Sequence, residues 1–337
     1  MVMMSGSEAL QRKLVDNSKV IDAFINTMLK PRQPEMLYDA SRHLIMAGGK
    51  RLRPFLTVKA CEAVGGHKED AVPFAAGLEI LHNFTLVHDD IMDNDPIRRG
   101  APTVHVKWSI PIAVAAGDLL FAKVYEAMTL YAPEQISCKR IRSCIQIATK
   151  AAIQICEGQV FDIAFPSIPN VSEEDYIAMV GGKTSALFRA CTEIGATVGG
   201  ANKSMIRALG KFAWDAGIAF QLIDDYLGVT ANEKTLGKPV GNDIKEGKKT
   251  LIVIHALKKA KPRQKEKILA ALGKPSAGPD EIEEVFRTLE ETGSINYTLK
   301  RAEKYTERSK RYILKLPDSQ AKKDLMDTVD YFTRRSY

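Results

Sequence analysis

Disulfide chemistry has little to work with in this chain. Five cysteines, Cys61, Cys138, Cys144, Cys156 and Cys191, are an odd number and form no Cys-x-x-Cys pair. That fits a reducing compartment, where such thiols behave as small buried hydrophobes. Long apolar runs are also missing. The most apolar stretch, Ile110 to Ala122, is interrupted by Asp118 and is too short to span a bilayer. Met1 to Lys19 mixes charges early and lacks the apolar run of a secretory signal. A cytoplasmic protein without stable membrane insertion is therefore expected. Neither a Pro/Gly/Ser linker nor a long low-complexity tract divides the chain, so residues 1–337 are expected to form one domain. Alternating strand patterns bounded by turns are hard to find, which leaves helical periodicity dominant.

What is present is ordinary for a globular protein, 45% hydrophobic and 26% charged. Forty-eight Lys and Arg against 41 Asp and Glu leave a formal charge of +7, with a pI near 9.0, which favours anionic partners. No DNA- or RNA-binding motif and no aromatic–basic alternation accompanies that charge, so nucleic acid is not expected. Lys258-Lys259, Lys261-Pro262-Arg263 and Lys322-Lys323 read as solvated surface.

Periodicity, caps and breakers predict helices over residues 7–28, 34–46, 54–64, 73–94, 112–131, 135–160, 203–228, 251–261, 279–292, 294–316 and 318–331. A further helix is expected to start at Ser172, an N-cap followed by Glu173, Glu174 and Asp175, and to run toward Gly195. The architecture this implies is an all-α bundle with its site built between facing helices.

Two acidic clusters stand out, His88-Asp89-Asp90-Ile91-Met92-Asp93 and Gln221-Leu222-Ile223-Asp224-Asp225. Asp89 and Asp93 are four apart, so on a helix they share a face about one turn from each other. At an effective dielectric near 20, carboxylates about 4 Å apart repel by roughly 4 kcal/mol. Apolar neighbours such as Phe84, Leu86, Val87 and Ile91 argue for burial, where water screens poorly. A single such pair reads as a solvated acidic face. Two, both set in apolar sequence, point to a counter-charge, and an oxygen-only donor set suits Mg²⁺.

Basic segments alternate with the acidic ones: Gly48-Gly49-Lys50-Arg51-Leu52-Arg53-Pro54, Arg98-Arg99-Gly100, Gly182-Lys183-Thr184, and the run from Lys234 through Lys238 and Asp243 to Lys248-Lys249. Carboxylate-held Mg²⁺ flanked by arginine and lysine suits a diphosphate, which takes bidentate bonds from Arg and a point charge from Lys.

These motifs, GGKRLRP, DDIMD followed by RRG, GKT, FQLIDDYLG and GKPVGND, occur in the order found in the trans-isoprenyl diphosphate synthases, which the chain resembles over nearly its whole length. The flanks LVHDDIMDNDPIRRGAPTVH and AAGDLLFAK are most similar to archaeal geranylgeranyl diphosphate synthases. The resemblance implies an isoprenoid-synthase helical bundle with a central active-site cavity, as a homodimer. It implies head-to-tail condensation of isopentenyl diphosphate with allylic diphosphates of C5 to C15, giving all-E geranylgeranyl diphosphate with some farnesyl diphosphate, and three Mg²⁺ per site with substrate bound. By position, Asp89, Asp93, Lys183, Thr184, Gln221 and Asp224 take the catalytic roles. Metal falls to Asp89, Asp90, Asp93, Asp224 and Asp225, and isopentenyl diphosphate to Gly49, Lys50, Arg53, His82 and Arg99. The allylic diphosphate falls to Arg98, Lys183, Thr184, Gln221, Lys238 and Lys248, with Asp243 orienting a lysine or a metal-bound water. Arg51 reads either as surface charge or as a salt-bridge partner.

Product length is expected to follow Leu81, Phe84 and Thr85, which precede the first acidic cluster. On an ideal helix Thr85 and Leu81 lie about 6 and 12 Å below Asp89 on nearly its face, whereas Phe84 swings about 140° away. Relatives of this type use the Phe84 position as a floor. Many also carry a third Asp four residues after Asp224, where this chain has Gly228. Rival readings are a farnesyl or longer-chain synthase, a class I terpene cyclase, and a non-catalytic partner subunit. The cyclase would have no use for a second diphosphate site.

Overall fold

The computed structural model describes residues 6–230 and 241–333, and its elements are helices apart from one two-residue ribbon. The chain divides into two compact units, each assembled from three segments. The first comprises Met1–Ala152, Leu187–Gly210 and Ile313–Thr328, and the second Ile153–Ala186, Lys211–Tyr312 and Val329–Tyr337. No described helix is long and apolar enough to cross a membrane.

The first unit starts with α1 (Gly6–Met28), α2 (Glu35–Met46) and α3 (Leu52–Ala63), all of which pack on α4 (Lys68–Met92). Phe74, Ala75, Ala76, Leu78, Ile80 and Leu81 on α4 are fully buried or nearly so. A helix apolar all round is one that other helices enclose. It begins five residues before the expected Pro73, because Glu69 and Asp70 in its first turn suit the helix N-terminus and one missing donor at Pro73 is tolerated.

Its end bears on the site. Asn94 adopts φ +53°, its N–H reaches the Ile91 carbonyl at 3.3 Å, and the Asp95 N–H reaches the Asp90 carbonyl at 3.0 Å. This left-handed cap stops the helix right at the acidic cluster. Pro96 follows, then β1 (Ile97–Arg98) and β2 (Ala101–Pro102), antiparallel and joined by Arg99 and Gly100 at φ +54° and +74°. Two consecutive positive φ values give the hairpin turn whose twist matches its strands. After α5 (Val104–Lys107), α6 (Ile110–Thr129) lies against α4; a Cβ at Gly117 would sit 2.1 Å from the His88 ring, so glycine is what lets that ring in. The unit takes in part of α7 (Cys138–Ala164) and most of α9 (Ala186–Val198).

In the second unit α8 (Glu173–Val180) starts on the expected N-cap Ser172, and Asp175 closes a capping box with it. The helix expected from there toward Gly195 is interrupted: Gly181–Ser185 forms a π-helical turn before α9 begins. From α10 (Lys203–Thr230), Ile218, Ala219, Leu222 and Ile223 bury against Tyr176, Met179 and Val180 of α8. Each such aliphatic side chain contributes roughly 1.5–3 kcal/mol. A second core joins α11 (Asn242–Lys245), α12 (Leu251–Lys259), α13 (Pro262–Ala271) and α14 (Pro279–Glu291) through Ile244, Ile252, Val253, Ile268, Val285 and Leu289. α15 (Ser294–Tyr312) and α16 (Gln320–Thr333) complete the described chain. The α13 helix lies where the sequence reads as charged surface; Pro262 occupies a first-turn position and Ile268 and Ala271 are its buried residues. Cys61, Cys144 and Cys191 are buried as expected, but Cys138 and Cys156 are exposed.

Candidate active site

The first group of site residues gathers where α2 hands over to α3 in the first unit. Gly48 and Gly49 have φ +97° and +143°, and a Cβ at Gly49 would stand 2.9 Å from Arg51 Nη1 and 3.2 Å from the Arg99 guanidinium. Glycine is needed there for both conformation and room. Arg51 is a buried salt-bridge partner, only 3% exposed. It donates to Asp22 (2.8 Å), Glu79 (3.0 Å) and the carbonyls of Ile45 (2.7 Å) and Gly48 (3.1 Å), closing the C-terminal end of α2. Arg53, half-buried in the first turn of α3, lies 4.9 Å over the Phe188 ring, and its Nε is buried without a hydrogen-bond partner. Arg99 donates to the Leu44 carbonyl at 2.7 Å and to Asn83 Oδ1 at 3.3 Å. Burial pulls both the Arg53 and Arg99 guanidinia below their ordinary value, with Glu79 opposing; arginine nevertheless stays charged. Lys50 is exposed on the same loop.

His82 belongs to this group. Burial first, then Arg53, Arg99, Arg98 and Arg51, push its imidazole well below the usual range, so it stays neutral. The unfolded chain takes up that proton near pH 6.5 and the folded chain does not, so stability is lost as pH falls below about 6.5 and is fully present above it. Thermal unfolding from pH 8 to 5 is expected to show a shallower acid slope for His82→Gln than for the parent. Superimposable slopes would remove His82 from this account.

The first acidic cluster sits at the C-terminal end of α4. Asp89 and Asp93 are half-exposed one turn apart, and the Asp93 N–H caps the Asp89 carbonyl at 2.8 Å. Asp90 points the other way and is 1% exposed. Its Oδ1 accepts from Arg98 Nε, while Arg98 Nη2 donates to Asp95 at 3.2 Å. Burial pushes Asp90 up to about 6, against the pull of Arg98 and with Asp95 and Asp89 adding to it. Leu81 is buried beneath the cluster, and Thr85 donates to the His82 carbonyl at 2.8 Å. The Phe84 ring lies 4.8 Å from His88 and 5.0 Å from Phe121 of α6.

In the second unit Asp224 is exposed and Asp225 is buried. Asp225 Oδ1 accepts from Gln221 at 2.9 Å and its Oδ2 accepts from the buried Tyr176 hydroxyl. Gln221 Oε1 in turn accepts from Thr184 at 3.0 Å. Burial raises Asp225 to about 7, opposed by the Tyr176 and Gln221 bonds and assisted by Asp243 and Asp224. Thr184 and Lys183 stand on the π turn, which closes against α7: a Cβ at Gly158 would lie 2.2 Å from the Lys183 nitrogen. π turns of this kind recur at functional sites. Lys183 pairs with Asp162 at 2.5 Å, and Lys248 with Glu246 at 2.7 Å. Gly228 faces Asp243, whose Oδ2 would be 3.3 Å from an added Cβ. A carboxylate from the Asp243 segment thus stands beside the position where many relatives have their third Asp. Lys238 lies outside the described residues.

Sequence reasoning misses Glu79, Asn83, Asp162 and Tyr176. The first two sit in the apolar run of α4, and only three-dimensional pairing with arginines marks them. Asp162 and Tyr176 carry no local signal beyond being polar in otherwise helical patterns.

The donor set can be tested for Mg²⁺. Among the described residues no three or more His, Cys, Asp or Glu side chains form a metal cage. Mg²⁺ is usually held by one or two carboxylates together with substrate phosphates and water, so a one-turn pair such as Asp89 and Asp93 fits it.

Residues 34–289 match the polyprenyl synthetase family. The chain is 42% identical over 325 residues to a geranylgeranyl diphosphate synthase of Methanosarcina mazei, covering 96% of this chain and 98% of that one. It is 40% identical to a geranylfarnesyl diphosphate synthase of Aeropyrum pernix, covering 90% and 95%. Its fold is similar to the crystal structure of geranylgeranyl pyrophosphate synthetase from Pyrococcus horikoshii, with a TM-score of 0.92, 39% identity, and coverage of 98% and 99%. An all-α fold with acidic and basic motifs in this order defines a class of prenyl-transferring enzymes, and the chain belongs to the polyprenyl synthetase family. It is a trans-prenyltransferase.

Proposed function

We propose that the two units act as one synthase domain that joins isopentenyl diphosphate head to tail to allylic diphosphates of C5 to C15, ending chiefly at all-E geranylgeranyl diphosphate. The observation that carries this reading is the set of arginines, Arg53 and Arg99 first, whose charges bear on a buried, neutral His82, in addition to Arg98, which is bonded within the acidic cluster. A synthase needs two diphosphate sites and a cyclase needs one. In this reading Asp89 and Asp93, supported by Asp90, hold Mg²⁺ on one side of the leaving diphosphate, and Asp224 holds a further ion. When bound, the metal neutralises charge developing on the departing diphosphate, worth several kcal/mol.

The chain's own residues do the rest. Arg98, Lys183, Lys248 and Lys238 bind the allylic diphosphate, which draws Lys183 from Asp162 and Lys248 from Glu246. Thr184 and Gln221 turn oxygen atoms toward the allylic cation. Asp225 is bonded through both oxygens, so its part is to hold Gln221 rather than to bind metal alone. Asp243 supplies the carboxylate that Gly228 lacks. Gly49, Lys50, Arg53, His82 and Arg99 fix isopentenyl diphosphate, and its proton leaves to the released diphosphate. A homodimer in the cytoplasm belongs to the same reading.

The test is incubation of the purified chain alone with isopentenyl diphosphate, Mg²⁺ and separate C5, C10 and C15 primers, with products read by mass. A C20 diphosphate is expected from each. No elongation would leave the partner-subunit reading, and a C25 product would favour the geranylfarnesyl type. Phe84→Ala is expected to lengthen the products and Thr85→Phe to shorten them; one distribution for both variants would reject the floor.

A further inference from the structure

Two neighbouring arginines on the hairpin are treated in opposite ways. Arg98 is bonded to two carboxylates, Asp90 and Asp95. Arg99 meets only neutral acceptors, the Leu44 carbonyl at 2.7 Å and Asn83 Oδ1 at 3.3 Å. Asn83 is fully buried on α4, at 0% exposure. Its Nδ2 donates to the Glu79 carbonyl at 2.8 Å and to Glu79 Oε1 at 3.2 Å. Glu79, 2% exposed, also accepts from Arg51 Nη1 at 3.0 Å. A carboxylate only accepts and a guanidinium only donates, so one orientation of the Asn83 amide satisfies both neighbours. Glu79 therefore sets the direction in which Asn83 presents its oxygen.

We propose that Asn83, oriented by Glu79, is a positioning residue for the isopentenyl diphosphate site: it holds the Arg99 guanidinium by a neutral acceptor and so leaves its charge for the diphosphate. The proposal rests on the reading of that site given above. A carboxylate in the place of Asn83 would hold Arg99 equally well but neutralise it. An apolar side chain would leave Arg99 with the Leu44 carbonyl as the one remaining of these two neutral anchors. The neutral amide does neither, and the interior accepts it because its oxygen meets Arg99 and its nitrogen meets Glu79. Asn83 and Glu79 are one helical turn apart, which is what brings the amide onto the carboxylate.

The decisive variant is the exchange Glu79→Gln with Asn83→Asp, which keeps net charge and nearly keeps volume while placing the acid against Arg99. Asn83→Leu is the second variant, and initial rates are measured with the full chain, each diphosphate varied in turn while the other is saturating. Both variants are expected to raise KM for isopentenyl diphosphate about tenfold, the loss of one charge-assisted contact. KM for the allylic diphosphate and kcat are expected to move by less than threefold. A merely structural role would lower the melting temperature and leave KM for isopentenyl diphosphate alone. If that KM stays within twofold of the parent in whichever variants fold, the proposal is overturned. Arg53→Gln is measured alongside. If it raises the same KM while the Asn83 variants do not, only the positioning role fails; if it does not, the reading of the isopentenyl diphosphate site fails first.

Discussion

Asp89→Ala is expected to lower turnover on the order of a thousandfold while the protein stays folded. The activity loss follows from the proposed role of Asp89 as a carboxylate that would hold Mg²⁺ on the leaving group, since each 1.36 kcal/mol of lost transition-state stabilisation costs about tenfold in rate. Retention of the fold follows from where Asp89 lies. It is half-exposed in the last turn of α4, and its charge is one of the causes that raise the buried Asp90 to about 6. Deleting it relieves repulsion against Asp90 and Asp93, so the melting temperature should hold or rise. Improved stability with lost activity is the signature of a functional residue under strain. Rates measured in excess Mg²⁺, beside thermal unfolding, check both halves. Near-normal turnover in a folded variant would rule out the ligand role.

Gly182→Ala should cost about a hundredfold by a different route. The added Cβ would lie 2.7 Å from the Gln154 carbonyl oxygen and 3.2 Å from the Gly158 Cα, both backbone atoms of α7 that cannot rotate aside. The π turn must move as a body, and Lys183 and Thr184 move with it. A displacement near 1 Å at groups that position a reacting substrate costs about 10²-fold in rate, and overpacking costs about 1–3 kcal/mol in stability. The measurement is kcat well below the midpoint of unfolding, where the variant is folded. Parent-like kcat there would mean that the π turn does not set the Lys183 and Thr184 positions.

Much of the helical architecture was legible, because caps and breakers stood at the ends of apolar periodic runs. Ser172 caps α8 as expected, and Gly48-Gly49 stops α2. The exceptions have physical causes. The α13 helix hides among lysines and arginines because only a narrow stripe, Ile268 and Ala271, is buried. The π turn is invisible to a 3.6-residue period, since inserting one residue shifts the register that the period assumes. The hairpin bearing Arg98 and Arg99 is two residues per strand, below the length at which alternation shows.

The acidic pairs were legible by spacing alone, but the division of labour inside them was not. Adjacent aspartates on a helix point about 100° apart, so Asp224 faces out and Asp225 faces Tyr176. Which of the two is buried depends on the helix packed against them, and a single sequence does not carry that. The same holds for Arg51, whose two carboxylate partners, Asp22 and Glu79, lie far from it in the chain.

The central proposal is that each acidic cluster holds metal when a prenyl diphosphate binds. Titration with Mn²⁺ in the presence of a non-cleavable allylic thiolodiphosphate, followed by electron paramagnetic resonance, tests it most directly. The account expects three ions per chain that appear only with the analogue, and fewer in Asp89→Ala and in Asp224→Ala. Analogue binding with no uptake of metal, or an ion count unchanged in both variants, would contradict it.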